Sequence, residues 1–504
     1  MLVTLATDVP TVTAAAIAIG GLLVGLSCMM SRLSGVIGVP ISLVFLIIGM
    51  FAGSEALGGI NFDNYRLAYI CGTIALVVIL FDGGLNTPIA GARKVLGPAV
   101  TLATAGVAIV AGVTAVGAKL LGLDWPTALL FGAIVSSTDA AAVFAVLRDV
   151  SLRERVRMTI ELESGLNDPM AVILATAMTA HLINGAPLDG SLIPLVLWQL
   201  FAGGLAGVGI GFASRVLLRK TPVSTPGLYP VMTLGLAMLA YGVPQQFNGS
   251  GFMSVYVAGI VIGNGHVPYK TNLAHVHDSL AWLAQVGMFL LLGLLIFPSQ
   301  LPPVAGLGVG LALIVALVAR PIAVTACLLP FKFNWREIVC IAWLGLRGAV
   351  PVIIATVPIL AATADHLADD QFVALFNLVF FVVVVGLFVP GGMVAPVIRG
   401  LKLADRRRPK PTVELDIASS KPLDAVHLSL FVETGSRAIG RTLSELAAKD
   451  CGDDGLPCDA VVMMIVRGAS VIAPRGGTRI EAGDHVHLFC SPRSEGAVRQ
   501  AFGA

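Results

Sequence analysis

The sequence predicts an all-α polytopic membrane protein that ends in a small cytoplasmic α+β module. Three observations carry that expectation. Only 12% of the 504 residues are charged and 56% are hydrophobic, with a mean hydropathy of +0.89, whereas soluble globular chains carry about 25% charged residues. The charge is also uneven: 28 of the 62 Asp, Glu, Lys and Arg residues fall in 399–504, leaving 34 for the first 398. The tail thus has about 26% charged residues, the soluble norm, and the front about 9%. Apolar runs of roughly 20 residues, the length that crosses a bilayer, recur throughout the front. An ordinary soluble enzyme is excluded, and the expected domains are 1–398 in the membrane, 399–424 as a linker and 425–504 as the module.

Read by apolar length, spans fall near 12–30, 36–53, 67–86, 95–121, 126–147, 158–183, 191–217, 228–246, 252–264, 277–297, 304–329, 334–360 and 371–396, thirteen in all. The ninth is short and begins right after Asn248-Gly249-Ser250-Gly251. An odd number puts the two ends on opposite sides. One set of alternate loops holds Arg32, Arg93, Lys94, Arg148, Arg153, Arg155, Arg157, Arg215, Arg219, Lys220, Lys270, Lys332 and Arg336. The opposite loops hold only Arg66 and Lys119, with acidic Glu55, Asp63, Asp365, Asp369 and Asp370. Basic loops stay in the cytoplasm, so the N-terminus is expected outside and the tail inside. No basic n-region opens the chain, so its first apolar run reads as a span and not as a cleaved signal.

The linker string Arg406-Arg407-Arg408-Pro409-Lys410-Pro411 reads as a stop-transfer flank that also attracts anionic headgroups. In the module, Ala425–Glu433, Val461–Val466 and His485–Cys490 read as strands and Arg441–Lys449 as a short helix, with Gly483-Asp484 turning into the last strand. No G-x-G-x-x-G follows a strand, so no dinucleotide site is indicated. The Cys451/Cys458 spacing fits no zinc pattern, and no long basic stripe suggests nucleic acid.

Ionisable residues inside a span cost several kcal/mol and usually serve function. The fifth span reads Val135-Ser136-Ser137-Thr138-Asp139-Ala140-Ala141-Ala142-Val143, with Asp139 near mid-depth. Consecutive hydroxyls compete for backbone carbonyls and loosen the helix. The sixth reads Glu161-Leu162-Glu163-Ser164-Gly165-Leu166-Asn167-Asp168-Pro169. Ser164 and Asp168 share one helix face, Glu163 and Asn167 the adjacent one. Pro169 has no N–H for the Gly165 carbonyl. The twelfth reads Leu344-Gly345-Leu346-Arg347-Gly348-Ala349-Val350-Pro351, and its glycines and proline predict an opened helix. Arg347 there must face an acid; Glu163 is the expected partner, with Asn167 bridging. Taking the seventh span as a linker, the fifth and twelfth occupy matching places in two halves. Interrupted helices so placed point to a transporter of inverted repeats that binds at the midplane. Asp82 either lines a funnel or caps the third span, and Arg320 either snorkels to the interface or has a role of its own. His275 and His277 read as loop residues.

Two mid-depth carboxylates, Asp139 and Asp168, repel one another unless a cation or a proton neutralises the site. That competition is the chemistry of exchange. With Glu163 locked to Arg347, one cation per proton is the economical stoichiometry. A gated cation channel is the alternative from another class, although no filter-like loop is visible.

The strings Phe81-Asp82-Gly83-Gly84-Leu85, Ser137 to Val143, Glu163 to Pro169, Gly251–Asn264 and Gly345 to Val350 resemble the monovalent cation/proton antiporter family 1, the sodium- or potassium-for-proton exchangers. The resemblance implies thirteen spans, crossed unwound helices and a homodimer. It implies cation ligation, K⁺ or Na⁺, by the Thr138 backbone carbonyl, Asp139, Ser164 and Asp168, and an ion bridge between Glu163 and Arg347 that contacts Asn167. Asp82 resembles the family's acid near the cytoplasmic funnel. Asn167-Asp168 is similar to electroneutral members. Gly435-Ser436 through Leu446 and Val471 through Asp484 resemble the C-terminal lobe of potassium-conductance-regulating domains, which implies a small-molecule effector or pairing with another copy. The combination looks most like bacterial potassium/proton antiporters of the inner membrane, with no cofactor beyond the transported K⁺ or Na⁺ and H⁺, serving cation and pH homeostasis.

Overall fold

The computed structural model describes residues 9–37, 40–56, 58–139, 142, 152–187, 190–221, 225–364, 370–403, 425–447, 455–468, 470–491 and 493–502. Among the described residues, the front is mostly helical. In chain order the helices are α1 Val9–Ile37, α2 Ile41–Ala52, α3 Tyr65–Leu85, α4 Ile89–Leu120, α5 Trp125–Ile134, α6 Glu154–Asn184, α7 Leu192–Lys220, α8 Leu228–Gln245, α9 Gly251–Gly263, α10 Lys270–Leu294, α11 Pro302–Phe331, α12 Trp335–Trp343, α13 Val350–Ala364, α14 Asp370–Gly392 and α15 Val394–Gly400. Among the described residues, seven are long and apolar enough to cross a membrane unaided: α3, α4, α6, α7, α10, α11 and α14. Those expected at 95–121 and 304–329 each carry a π-helical turn, Leu102–Gly106 and Val315–Ala319.

The close packing follows from small residues, the usual device where no hydrophobic effect drives helices together. Gly203, Gly207 and Gly211 lie four apart on α7, and a Cβ on each would overlap Ser250, Ser254 or Val261 of α9. Gly84 and Gly259 let α3 and α9 touch backbone to backbone, since a Cβ on Gly84 would run into the Tyr256 carbonyl. Ser250 caps α9 by accepting from Met253 N–H at 3.4 Å, so the Asn-Gly-Ser-Gly string starts the short ninth helix.

The expected breaks are present. α5 stops at Ile134 and the chain runs non-helical through Asp139. Ser136 Oγ turns back onto the Ala133 carbonyl at 2.7 Å, the competition that hydroxyl runs predict. α12 stops at Trp343, and the chain is non-helical until α13 begins at Val350 with Pro351. A proline in the first turn costs no intrahelical hydrogen bond. The two opened segments bond to each other: Asp139 N–H donates to the Leu346 carbonyl at 2.8 Å, and Arg347 Nε donates to the Val135 carbonyl at 3.2 Å.

One expectation is corrected here. His275 and His277 are not loop residues; both lie inside α10, which starts at Lys270. The polar string Lys270 to Asp278 hides the helix start from an apolar-run reading, and His277 is fully buried.

The C-terminal module is a second compact unit, a four-stranded antiparallel sheet in the order β1-β4-β2-β3, with β1 Val426–Phe431, β2 Val461–Arg467, β3 Ser470–Ile472 and β4 Asp484–Cys490. Alternation along β1 and β4 sends Leu428, Leu430, Val486, Leu488 and Cys490 to one face, where they form the core with Ile465, Val498 and Phe502. Helices α16 Leu443–Ala447 and α17 Glu495–Phe502 complete it. Gly483 turns into β4 at φ +90°, a backbone region that glycine adopts freely. The three expected strands and the short helix are found; β3 and α17 are additional. The linker lies outside the described residues, apart from its first five, 399–403.

Candidate functional site

The end of the first opened segment and the middle of α6 line one cavity of about 360 Å³. Asp139, Ser164 and Asp168 line it, together with Asp82, Tyr256 and Asp278. Asp139 is 9% exposed and Asp168 5%. Thr138 and Ser164 are buried, with their hydroxyls 3.2 Å apart. Asn167 Nδ2 donates to Thr138 Oγ1 at 2.6 Å. Of the four residues expected to hold a cation, Thr138 and Ser164 are thus linked in one chain of side chains with Asn167, and Asp139, Ser164 and Asp168 line the cavity.

Asp139 is fixed at the start of the segment that follows it. Its Oδ1 accepts from Ala142 N–H at 3.1 Å, the pattern of an N-cap, while its own N–H is spent on Leu346. Gly348 supplies the room: a Cβ there would overlap the Asp139 carboxylate. Asp168 differs. Its Oδ1 is buried and has no hydrogen-bond partner among the described residues. A buried, unbonded carboxylate oxygen costs free energy unless something fills its place. The donor set, carboxylate and hydroxyl oxygens on a wall rich in acids, suits a hard monovalent cation or a proton.

The expected ion bridge between Glu163 and Arg347 is not formed, and this is the main correction. Glu163, fully buried, pairs instead with Arg320 of α11: Nη1 donates to Oε1, and Nη2 to Oε2 at 2.9 Å. Two parallel bonds of this kind are the strong form of the arginine–carboxylate pair. Arg320 is only 3% exposed, so it does not snorkel. Gly345 makes the pair fit, because a Cβ there would overlap the Arg320 guanidinium. Arg347, also 3% exposed, is turned to backbone: it donates to the Val135 carbonyl, and through Nη1 to the Gly345 carbonyl at 2.5 Å. Broken helices leave carbonyls without partners, and this guanidinium takes up two of them. Asn167 accordingly reaches Thr138 and not Arg347, and its Oδ1 has no partner among the described residues.

Asp82 resolves toward the cavity. It lines the wall and accepts from Asn86 Nδ2 at 2.9 Å, and Asn86 is the residue that caps α3. Glu161, an in-span acid left outside the expected site, also lines the cavity, as do Tyr256 and Asp278, which were not singled out from the sequence. Tyr256 sits with its ring against Gly165, and its hydroxyl is 3.3 Å from Thr87 Oγ1. Glu161 pairs with Arg157 one turn earlier at 3.7 Å. Asp278 comes from α10. The usable signal was an acid at the head of an apolar run.

Comparisons with known proteins give the family. Residues 20–400 match the sodium/hydrogen exchanger family, transmembrane, and residues 428–503 match the TrkA-C domain. The chain is 40% identical to a K(+)/H(+) antiporter NhaP of Alkalimonas amylolytica over 93% of its own length and 80% of that protein. It is 39% identical to a K(+)/H(+) antiporter NhaP2 of Shewanella oneidensis over 96% and 82%. A Na(+)/H(+) antiporter NhaS2 of Synechocystis is 27% identical over 72% and 67%. The fold is similar to that of the sodium proton antiporter MjNhaP1 of Methanocaldococcus jannaschii, with a TM-score of 0.68 at 22% identity, covering 77% of this chain and 99% of that one. The chain therefore belongs to the sodium/hydrogen exchanger family of membrane antiporters and carries a TrkA-C domain at its C-terminal end.

Proposed function

We propose that the protein exchanges K⁺ for H⁺, one for one, at Asp139 and Asp168. The observation that carries this reading is the charge of the deep site. The deep site holds Glu163, Asp139 and Asp168 with Arg320 and Arg347, and all five are buried. Three carboxylates against two guanidiniums leave a single negative charge. An uncompensated buried charge costs several kcal/mol, so the site takes up one cation or one proton and not both. Cation binding then releases the proton, and proton binding releases the cation. Thr138, Ser164 and the free Oδ1 of Asp168 supply oxygen ligands to the dehydrated ion. Arg320 and Arg347 stay charged through the cycle: the first holds Glu163 ionised, the second holds the two opened segments together.

K⁺ is the substrate chosen because the K(+)/H(+) antiporters are the relatives matched at 38–40% identity. The basic loops support an N-terminus outside and the TrkA-C domain in the cytoplasm of an inner membrane. In this reading residues 1–398 transport, 399–424 link, and 425–504 regulate through a small-molecule effector, with the working unit a homodimer. The test is dye-quench exchange in everted vesicles with K⁺, Na⁺, Rb⁺ and Li⁺ across pH. The wild-type chain should respond to K⁺, and Asp168→Asn should be silent. A strong Na⁺ response without a K⁺ response overturns the substrate. Exchange that survives Asp168→Asn overturns the site.

A further inference from the structure

The turn between α11 and α12 lies at a membrane surface, because α11 is long and apolar enough to cross and ends at Phe331. The side chains around it fall into two groups. One is apolar. Leu329 and Trp335 are 68% and 62% exposed. On α12, Trp335 shares its outward face with exposed Val339, four residues on. Glu337, Cys340 and Ile341, on the other side of that helix, are buried.

The second group is basic. Lys332 and Arg336 are exposed, and among the described residues neither pairs with an acid. The Arg336 guanidinium stands 5.6 Å from the centroid of the Trp335 ring. Arg153 and Arg155 reach the same turn from the start of α6. Arg155 Nη2 donates to the Phe331 carbonyl at 2.9 Å, and its guanidinium lies 3.9 Å from the centroid of the Phe333 ring. The acids here are Glu154, beside both arginines in the sequence, and Glu337, 4.0 Å from each of them. Glu337 also accepts from the Asn334 amide at 3.1 Å. Four cations against two carboxylates leave an excess of positive charge, and it falls on Lys332 and Arg336.

The two groups together select the partner. A soluble anion has no use for the exposed apolar wall. A zwitterionic lipid would bring its ammonium against Lys332 and Arg336. A negatively charged lipid satisfies both groups, as basic sites between spanning helices do, with the indole at headgroup level. We propose that this turn binds an anionic phospholipid, its phosphate on Lys332 and Arg336 and its acyl chain along Leu329, Trp335 and Val339. The bound lipid acts on exchange through α12, which runs into the opened segment that carries Arg347. Arg153 and Arg155 tie the same helix to α6, which carries Asp168. The effect on exchange rests on the reading above; the binding does not.

The test reconstitutes the full chain in phosphatidylcholine vesicles with rising fractions of brominated phosphatidylglycerol. The Trp335 fluorescence is the difference between wild type and Trp335→Phe. Brominated phosphatidylglycerol should quench it more strongly than brominated phosphatidylcholine at equal fraction. Lys332→Gln with Arg336→Gln should need at least about fivefold more phosphatidylglycerol for the same quenching. Should that double variant fail to reconstitute, each single variant carries the same expectation with a smaller shift. Arg219→Gln with Lys220→Gln removes two exposed cations from the end of α7 and should leave the quenching unchanged. Equal quenching by the two lipids overturns the site. So does an equal loss in both double variants, which marks general surface charge. Soluble glycerol phosphate that removes the selectivity overturns a lipid as the occupant. Wild-type exchange should rise with phosphatidylglycerol, and exchange by the Lys332/Arg336 variant should not; a parallel rise in both overturns the effect on exchange. Selective quenching in a chain that exchanges none of the four cations supports the site and overturns the exchange reading alone.

Discussion

Replacing Arg320 by methionine removes one guanidinium from the deep site and keeps much of its volume. Glu163 then loses both of its hydrogen bonds in a position with no exposure. Breaking one partner out of a buried pair costs about 3–5 kcal/mol, because the other charge is stranded. The transport consequence follows from the charge count: three carboxylates would face one guanidinium, and the site would hold an extra proton permanently. Glu163→Leu alone has the opposite fault, with two carboxylates against two guanidiniums and no net charge left to exchange. The double variant, Glu163→Leu with Arg320→Met, restores two against one and replaces the pair by apolar groups, a change that is often neutral. Thermal unfolding of the detergent-solubilised protein should show both single variants well below wild type and the double variant most of the way back. Exchange should be lost in both singles and return in part in the double. If Arg320→Met melts like wild type, or if the double variant is no better than the singles, the reasoning about this pair is wrong.

Three other predictions test different parts of the chain. Gly348→Val places a side chain where the Asp139 carboxylate sits, so exchange should fall by at least about tenfold in a chain that still inserts; normal exchange would mean that Asp139 need not hold this position. In the module, Arg467 donates to both oxygens of fully buried Asp484 at 2.8 and 3.0 Å. Arg467→Met should destabilise the sheet by about 2–4 kcal/mol, read as lost hydrogen-exchange protection along β4 in the full chain, and unchanged protection would refute it. Asp459 is held down at about 2 by the Ser491 hydroxyl, then the Ser491 amide and Ser494. Because the folded value lies below the unfolded one, these bonds stabilise the module above about pH 4 and are lost as pH falls toward 2. Protection at the start of α17 should drop over that window in wild type and stay flat in Asp459→Asn; identical profiles would contradict the assignment.

The sequence is most legible where a residue's intrinsic preference decides its structure. The hydroxyl run before Asp139 and the glycines around Arg347 open their helices, and both breaks appear where they were expected. The period-2 strands of the module are equally local. Partner choice is not local. Glu163 and Arg320 lie 157 positions apart, and Arg347 offered an equally good arginine at mid-depth. The decision lies with Gly345, which leaves space for the Arg320 guanidinium, and with the carbonyls of the opened segments, which occupy Arg347. Asp278 and His277 were obscured for a related reason. A helix whose first turns are polar looks like a loop until another helix, here α3 through Phe81, packs against it.

The central claim is that one cation and one proton compete for a site with a single negative charge. It is tested most directly by locating zero net flux in proteoliposomes while the K⁺ gradient is varied against a fixed pH gradient. One-for-one exchange requires flux to vanish when the K⁺ ratio equals the H⁺ ratio, whatever the membrane potential. A zero point that shifts with potential, or that falls where the ratios differ, would contradict the account.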